Sequence, residues 1–204
     1  MKTKFEILGL VMGWFAIIAQ FVLMIQNRQA DILETTVRFF SFFTILTNIL
    51  VALFFTTSAF RLKGFPFKLF SAKTTITALT AFIFIVGLVY QIALRQVWAP
   101  TGLQYVVDEL LHTVIPLFML GYWHSNMKKE DLAIQPLLKW MIYPLTYILY
   151  ILVRGSLSGY YPYPFLNIPE IGYQSAAINI AAIFMLMLIT LTVLSIVGKR
   201  LIKS

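Results

Sequence analysis

Two acidic residues and a histidine lie in the segment DELLHTVIPLF, residues 108–118, of a mostly apolar sequence. His112 follows Asp108 by four residues, so a helix places both side chains on one face. A neutral histidine is the usual base near neutral pH, and a neighbouring carboxylate can hold its ring in one tautomer. A threonine hydroxyl such as that of Thr44 becomes a nucleophile when a base takes its proton. These residues predict a hydrolytic site with Thr44 as nucleophile, His112 as base and Asp108 as the residue that orients His112.

A hydrolytic site also needs groups that bind the oxyanion and the substrate. We expect Asn48, or a backbone N–H near Pro116, to donate to the oxyanion. Pro116 itself lacks an N–H, so the carbonyl of His112 loses its helical partner. Arg154 or Arg38 is expected to hold a substrate carboxylate, and Ser41 is expected on the helical face of Thr44. The residues predicted to bind substrate are Asn48, Ser41, Tyr90, Gln91, Arg154 and Asn179.

The composition indicates that membrane-spanning helices must position these residues. The 204 residues are 60% hydrophobic and only 12% charged, with a mean hydropathy of +0.84, whereas about a quarter of a soluble domain is charged. Apolar runs of about 20 residues can cross the ~30 Å hydrocarbon core of a bilayer. We predict an all-α, polytopic membrane protein, a bundle of six transmembrane helices forming one integral membrane domain, residues 1–204, with spans at about 5–25, 37–60, 74–94, 105–123, 137–154 and 173–196.

The positions of lysine and arginine predict the orientation of the bundle. Twelve of the 16 basic residues lie at the N-terminus, in the second and fourth loops and in the C-terminal tail. Basic loops stay in the cytoplasm, so both termini are expected there. Thr44 and His112 then each lie about seven residues inside the outer end of a span, ~10 Å deep. The net charge of +8 is expected to meet anionic lipid head groups rather than nucleic acid.

The sequence predicts no cofactor and no metal. It has no cysteine, which excludes disulfides and thiolate ligands. It has no Gly-rich phosphate loop, no G-x-S-x-G element and no H-E-x-x-H element. One histidine within the spans with scattered acids is a poor ligand set for a metal ion.

Three short segments resemble a known family. They are FFTILTNIL with Thr44, HTVIP with His112, and YPYPFLN at 161–167. These segments resemble the androgen-induced and androgen-dependent membrane hydrolase family, and the bacterial relatives of that family most of all. The resemblance implies a multi-span threonine hydrolase that cleaves fatty acid esters of hydroxy fatty acids. It also implies that Thr44 and His112 are catalytic and that Tyr163, Pro164, Phe165 and Leu166 form a family element.

Alternatives remain open at this point. Thr47 lies one turn deeper than Thr44 on nearly the same face and is a second candidate nucleophile. The polar residues can also be structural, with His112 joining helices by one hydrogen bond and Asp108 solvated at the interface.

The expected function is hydrolysis of lipid (fatty acyl) esters at the outer-leaflet level, in an integral membrane protein of a bacterial plasma membrane. The expected partners are membrane lipids and an amphiphilic lipid-ester substrate. The alternative is a non-enzymatic lipid- or solute-binding protein or a small transporter that uses the same polar pocket.

Overall fold

The computed structural model describes residues 2–203, and the side chain of Lys203 lies outside that description. The regular secondary structure of this part of the chain is entirely helical, with no β-strand. Its nine α-helices are α1 (Lys2–Gln26), α2 (Ile32–Phe39), α3 (Phe43–Phe60), α4 (Thr75–Val89), α5 (Gly102–Glu109), α6 (Ile115–Asn126), α7 (Ile134–Lys139), α8 (Ile142–Ser158) and α9 (Ile168–Lys203).

Six helical segments are long and apolar enough to cross a membrane, which confirms the predicted all-α bundle of six spans. They are Lys2–Gln26, Phe43–Phe60, Thr75–Leu94, Gly102–Asn126, Ile134–Ser158 and Ile168–Ile202. The chain is therefore an integral membrane protein. The α4 helix lies at the centre, where it packs against α3, α6 and α9, while α1 packs along α3.

The second span differs from its predicted bounds of 37–60. The helix is interrupted at residues 40–42, so α2 ends at Phe39 and α3 begins at Phe43. Neither glycine nor proline occurs at the break. Tyrosine hydroxyls from distant segments bind the backbone groups that lose their helical partners at the break. The Tyr147 hydroxyl, for example, donates to the Ser41 carbonyl at 2.9 Å. Ser41 lies in this break and not on the helical face of Thr44, contrary to the prediction.

Two π-helical turns lie beside each other in the third and fourth spans. Tyr90–Leu94 extends α4, and Leu110–Val114 joins α5 to α6. The second turn carries His112 and directly precedes Ile115 and Pro116, where the sequence predicts a disturbed helix. Gly87 lets α4 approach this point closely, because a Cβ atom there would lie 2.8 Å from the His112 carbonyl oxygen. Single π-helical turns are frequent at functional sites.

Candidate functional site

A cavity of about 830 Å³ lies at the end of the bundle where α1 ends and α3 begins. We call it the distal cavity. Its walls come from the last turns of α1, from α2 and the start of α3, from the segment 90–112 and from the loop 160–163. The side chains in its lining that can perform chemistry include Thr44, Tyr90, Asp108, His112, Arg38 and Tyr163. The cavity thus brings together all three residues that the sequence predicts as catalytic.

His112 is held on two sides within this cavity. Its ring stacks on Tyr90, with the ring centroids 4.1 Å apart and the planes 15° from parallel. Its Nδ1 atom lies 2.9 Å from the Asp108 carbonyl oxygen and 3.3 Å from Asp108 Oδ1. Two acceptors at Nδ1 place the proton of the neutral ring there, which leaves the lone pair on Nε2. Nε2 is therefore the atom of His112 that can act as a base.

Asp108 is buried and is fixed by a second partner. The Tyr90 hydroxyl donates a hydrogen bond to Asp108 Oδ2, while Oδ1 faces His112. The carboxylate thus contacts the ring nitrogen that carries the proton and can stabilise an imidazolium. Tyr90, predicted to bind substrate, lines the cavity, but its hydroxyl is used to hold Asp108. A local spacing of four residues was sufficient to predict the Asp108–His112 contact.

Thr44 lies in the first turn of α3, directly after the break in the second span. The Leu46 N–H donates to the Phe42 carbonyl, so the N–H groups of residues 43–45 precede the helical hydrogen-bond ladder. Such N–H groups, together with the helix dipole, favour a negative charge at this end of a helix. The first turn of α3 can therefore stabilise a developing alkoxide or oxyanion beside Thr44.

Tyr163 reaches the same helix end from the loop after α8. Its hydroxyl lies 3.3 Å from the Thr44 backbone nitrogen, which donates to it, and 3.4 Å from Thr44 Oγ1. Burial raises the pKa of the Tyr163 phenol, and the hydrogen bonds from Thr44 oppose that shift. The phenol keeps its proton at neutral pH and remains available as a donor. The resemblance of the segment YPYPFLN to a known family includes Tyr163, but no chemical role was predicted for it from the sequence.

Asn48 does not serve as the oxyanion donor that the sequence predicts. Its Nδ2 atom donates to the Thr44 carbonyl at 2.9 Å and to the Leu111 carbonyl at 3.3 Å. Both N–H bonds of the amide are thus used, and the residue lies outside the cavity lining. Asn48 instead joins the helix of Thr44 to the residue that precedes His112. Its Oδ1 atom is buried without a hydrogen-bond partner among the described residues.

Three more residues predicted to bind substrate lie outside the distal cavity. The Ser41 hydroxyl donates to the Val37 carbonyl on its own segment at 2.7 Å. Gln91 is exposed on the side of the bundle, where it donates to the Thr113 hydroxyl. Asn179 donates to the Phe165 carbonyl at 3.0 Å and so holds the loop that carries Tyr163. These side chains stabilise the walls of the site and do not face its interior.

Arg154 holds a carboxylate, but it is that of Glu34 rather than that of a substrate. Arg154 and Arg38 donate to the same oxygen, Glu34 Oε1, at 2.8 and 2.7 Å. Both guanidinium groups also lie over the Tyr160 ring, at 4.8 and 4.3 Å from its centroid. The hydrogen bond from Arg38, followed by that from Arg154, lowers the pKa of Glu34. This cluster ties the loop 160–163 to α2, and only Arg38 of the two arginines lines the cavity.

Thr47, the second candidate nucleophile, does not line the cavity that contains His112. It is fully buried, and its hydroxyl lies 2.9 Å from the Tyr143 hydroxyl. It lines neither the distal cavity nor the smaller cavity beside it. In contrast, Thr44 and His112 share the lining of one cavity. Residues 2–203 contain no group of three or more acidic or histidine side chains placed to hold a metal ion.

The distal cavity is lined by a threonine hydroxyl at the N-terminal end of a helix and by a histidine ring held by a carboxylate. Thr44 Oγ1 contacts Tyr163, and His112 Nδ1 contacts Asp108. A substrate bound between Thr44 and His112 would contact both residues. Hydrogen bonds in such sites often tighten only with substrate.

Comparison of the chain with known protein families, characterised proteins and solved structures gives no match.

Proposed function

We propose that this chain is an intramembrane threonine hydrolase that cleaves amphiphilic lipid esters in the distal cavity. The observation that carries the proposal is that Thr44, His112 and Asp108 line one cavity with Asp108 bound to the ring nitrogen opposite Nε2. The distribution of basic residues supports an opening on the extracytoplasmic side of a bacterial plasma membrane. The resemblance to androgen-induced membrane hydrolases supports the same pair of catalytic residues.

The reaction would proceed in two halves. Thr44 Oγ1 attacks the ester carbonyl carbon while His112 Nε2 takes the hydroxyl proton. The negative charge on the carbonyl oxygen forms beside the first turn of α3 and the Tyr163 hydroxyl. The ester C–O bond then breaks, and the imidazolium gives its proton to the leaving alcohol. A water molecule next attacks the acyl-threonine with His112 again as base, which releases a carboxylic acid and restores Thr44.

Asp108 and Tyr90 would act on His112 rather than on the substrate. The Asp108 carboxylate keeps the proton on Nδ1 and stabilises the positive charge that the ring gains during each half of the reaction. Tyr90 stacks on the ring and fixes the carboxylate through its hydroxyl. Both residues would therefore position the base.

The test is hydrolysis of a panel of lipid esters by the full-length chain in lipid nanodiscs. Thr44→Val removes the hydroxyl at nearly constant volume, and Thr47→Val is the matched control on the same helix. The proposal predicts that Thr44→Val and His112→Ala lose at least about 10³-fold in kcat, while Thr47→Val retains activity. Loss of activity in Thr47→Val but not in Thr44→Val would overturn the assignment of the nucleophile.

The alternative is a lipid- or solute-binding protein or a transporter that uses the same cavity. Asp108, which is buried, and His112, which is half-buried, favour it as well, because ionisable groups inside a bilayer often mark ligand or proton pathways. In that case a folded chain binds lipid but hydrolyses no ester in the panel. That combination would replace the hydrolase proposal with the binding one.

A further inference from the structure

A second, much smaller cavity lies on the far side of Thr44. We call it the apolar slot. Its volume is about 50 Å³, against about 830 Å³ for the distal cavity. Thr44 and Tyr163 line both spaces, so they form part of the wall between them. The remaining wall of the slot is almost entirely apolar and includes Val86 on α4, Ile148 on α8, and Ile183 and Met187 on α9.

The catalytic groups are distributed unequally between the two spaces. Asp108 and His112 line the distal cavity and do not line the slot. In an ester hydrolase the base returns its proton to the leaving alcohol, so that alcohol must lie on the same side as His112. The acyl group occupies the other side of the carbonyl carbon. With Thr44 at the wall, the acyl group therefore points towards the slot.

We infer that the substrate is a lipid ester with a short acyl group in the apolar slot and a bulky amphiphilic alcohol in the distal cavity. The inference rests on the proposed hydrolase function and specifies its substrate class. An apolar cavity of about 150 Å³ binds one benzene molecule with its six carbon atoms, so a slot of this volume accepts roughly two carbon atoms beyond the ester carbonyl. The polar and basic side chains of the larger cavity, among them Gln20, Arg28 and Arg38, suit the head of the alcohol.

The first test keeps the leaving alcohol constant and varies the acyl chain. The substrates are 4-methylumbelliferyl acetate, butyrate, octanoate and palmitate, and the full-length chain is used in lipid nanodiscs. Each methylene that a pocket cannot accept costs about tenfold or more in kcat/KM. We expect butyrate to be the best substrate, followed by acetate, and octanoate and palmitate to be at least tenfold poorer than butyrate.

The second test enlarges the slot without changing the catalytic residues. Met187 is buried at 3% exposure and lines only the slot, so Met187→Ala adds space at its α9 wall. Ile183→Ala is a second, independent enlargement should Met187→Ala fold poorly. Met119→Ala is the matched control, because Met119 is fully buried and lines neither cavity. We expect both slot variants to move the optimum from butyrate to octanoate and the control to keep it.

Three results would overturn the inference in distinguishable ways. A wild-type optimum at palmitate would show that the acyl chain lies elsewhere, and the threonine mechanism would stand. An optimum that stays at butyrate in both folded slot variants would remove the role of the slot and again leave the mechanism intact. Hydrolysis of none of the four esters, nor of the lipid esters in the wider panel, would contradict the proposed function and the inference together.

Discussion

The Tyr163 hydroxyl lies 3.4 Å from Thr44 Oγ1 and 3.3 Å from the Thr44 backbone nitrogen. The two residues are 119 positions apart in the sequence, so this contact depends on the folding of the loop after α8 against the break between α2 and α3. The contact places a neutral phenol at the N-terminus of the helix that carries the proposed nucleophile. The loop 160–163 therefore supplies a hydroxyl group next to the proposed nucleophile.

Tyr163→Phe removes this hydroxyl and keeps the ring in place. We expect kcat for ester hydrolysis to fall about 10²-fold, because one donor to the oxyanion is lost. Tyr161→Phe is the control from the same loop, since the Tyr161 ring packs near Gly155 and lies outside the cavity lining. Equal kcat in wild type and Tyr163→Phe would show that the hydroxyl only caps α3.

Asp108→Asn removes the carboxylate that faces His112 Nδ1. We expect kcat to fall about 10²–10³-fold, because the imidazolium loses its counter-charge. The loss is limited because the Asp108 backbone carbonyl, 2.9 Å from Nδ1, still holds the same tautomer. Glu109→Gln is the matched control, since Glu109 pairs with Arg95 outside the distal cavity. Hydrolysis rates for both variants in nanodiscs check the prediction, and similar losses in the two would count against a role for Asp108.

Gly87→Ala adds a Cβ atom 2.8 Å from the His112 carbonyl oxygen and 3.3 Å from the Pro116 side chain. A backbone atom cannot rotate away, so α4 and the segment that carries His112 must separate. We expect a loss of about 1–3 kcal/mol in stability and a lower kcat. Gly121→Ala is the control, because a Cβ atom there meets no atom within 4 Å. Thermal unfolding in detergent measures the difference, and equal melting temperatures for the two variants would show that no close approach exists at Gly87.

The Glu34 cluster predicts a stability that depends on pH. The arginines hold the folded pKa of Glu34 below its ordinary value of 4.5, so the carboxylate stabilises the folded state above that value. This stability is lost as the pH falls through the folded pKa. At neutral pH we expect wild type to melt roughly 2–4 °C above Glu34→Gln, and the two to converge in acid. A difference that persists below the folded pKa would show that the ion pairs do not cause it.

The sequence allowed the spans and the local contacts of the site to be predicted. Long apolar runs are sufficient to identify membrane helices, and the spacing of Asp108 and His112 is sufficient to bring them together on one helical segment. Thr44 and His112 were expected at one depth because each lies equally far from the end of its span. The structure brings both into the lining of one cavity.

The remaining features depend on contacts between residues distant in the sequence. The break at 40–42 has no proline or glycine and is stabilised by tyrosines of other segments, so periodicity alone predicts a continuous helix. Arg154 was expected to be free for substrate, because its partner Glu34 is 120 residues away. Asn48 was expected to face the pocket, but it binds the Leu111 carbonyl on a neighbouring span. Inside a bilayer, polar side chains form hydrogen bonds with the backbone groups that the fold places near them.

The most direct test of the account is covalent labelling of the full-length chain in nanodiscs with an alkyl fluorophosphonate, followed by peptide mass spectrometry. The account predicts one phosphonylated residue, Thr44, with labelling absent in Thr44→Val, strongly reduced in His112→Ala and retained in Thr47→Val. A label on Thr47 or on any other residue, or labelling that is unchanged in Thr44→Val, would contradict it.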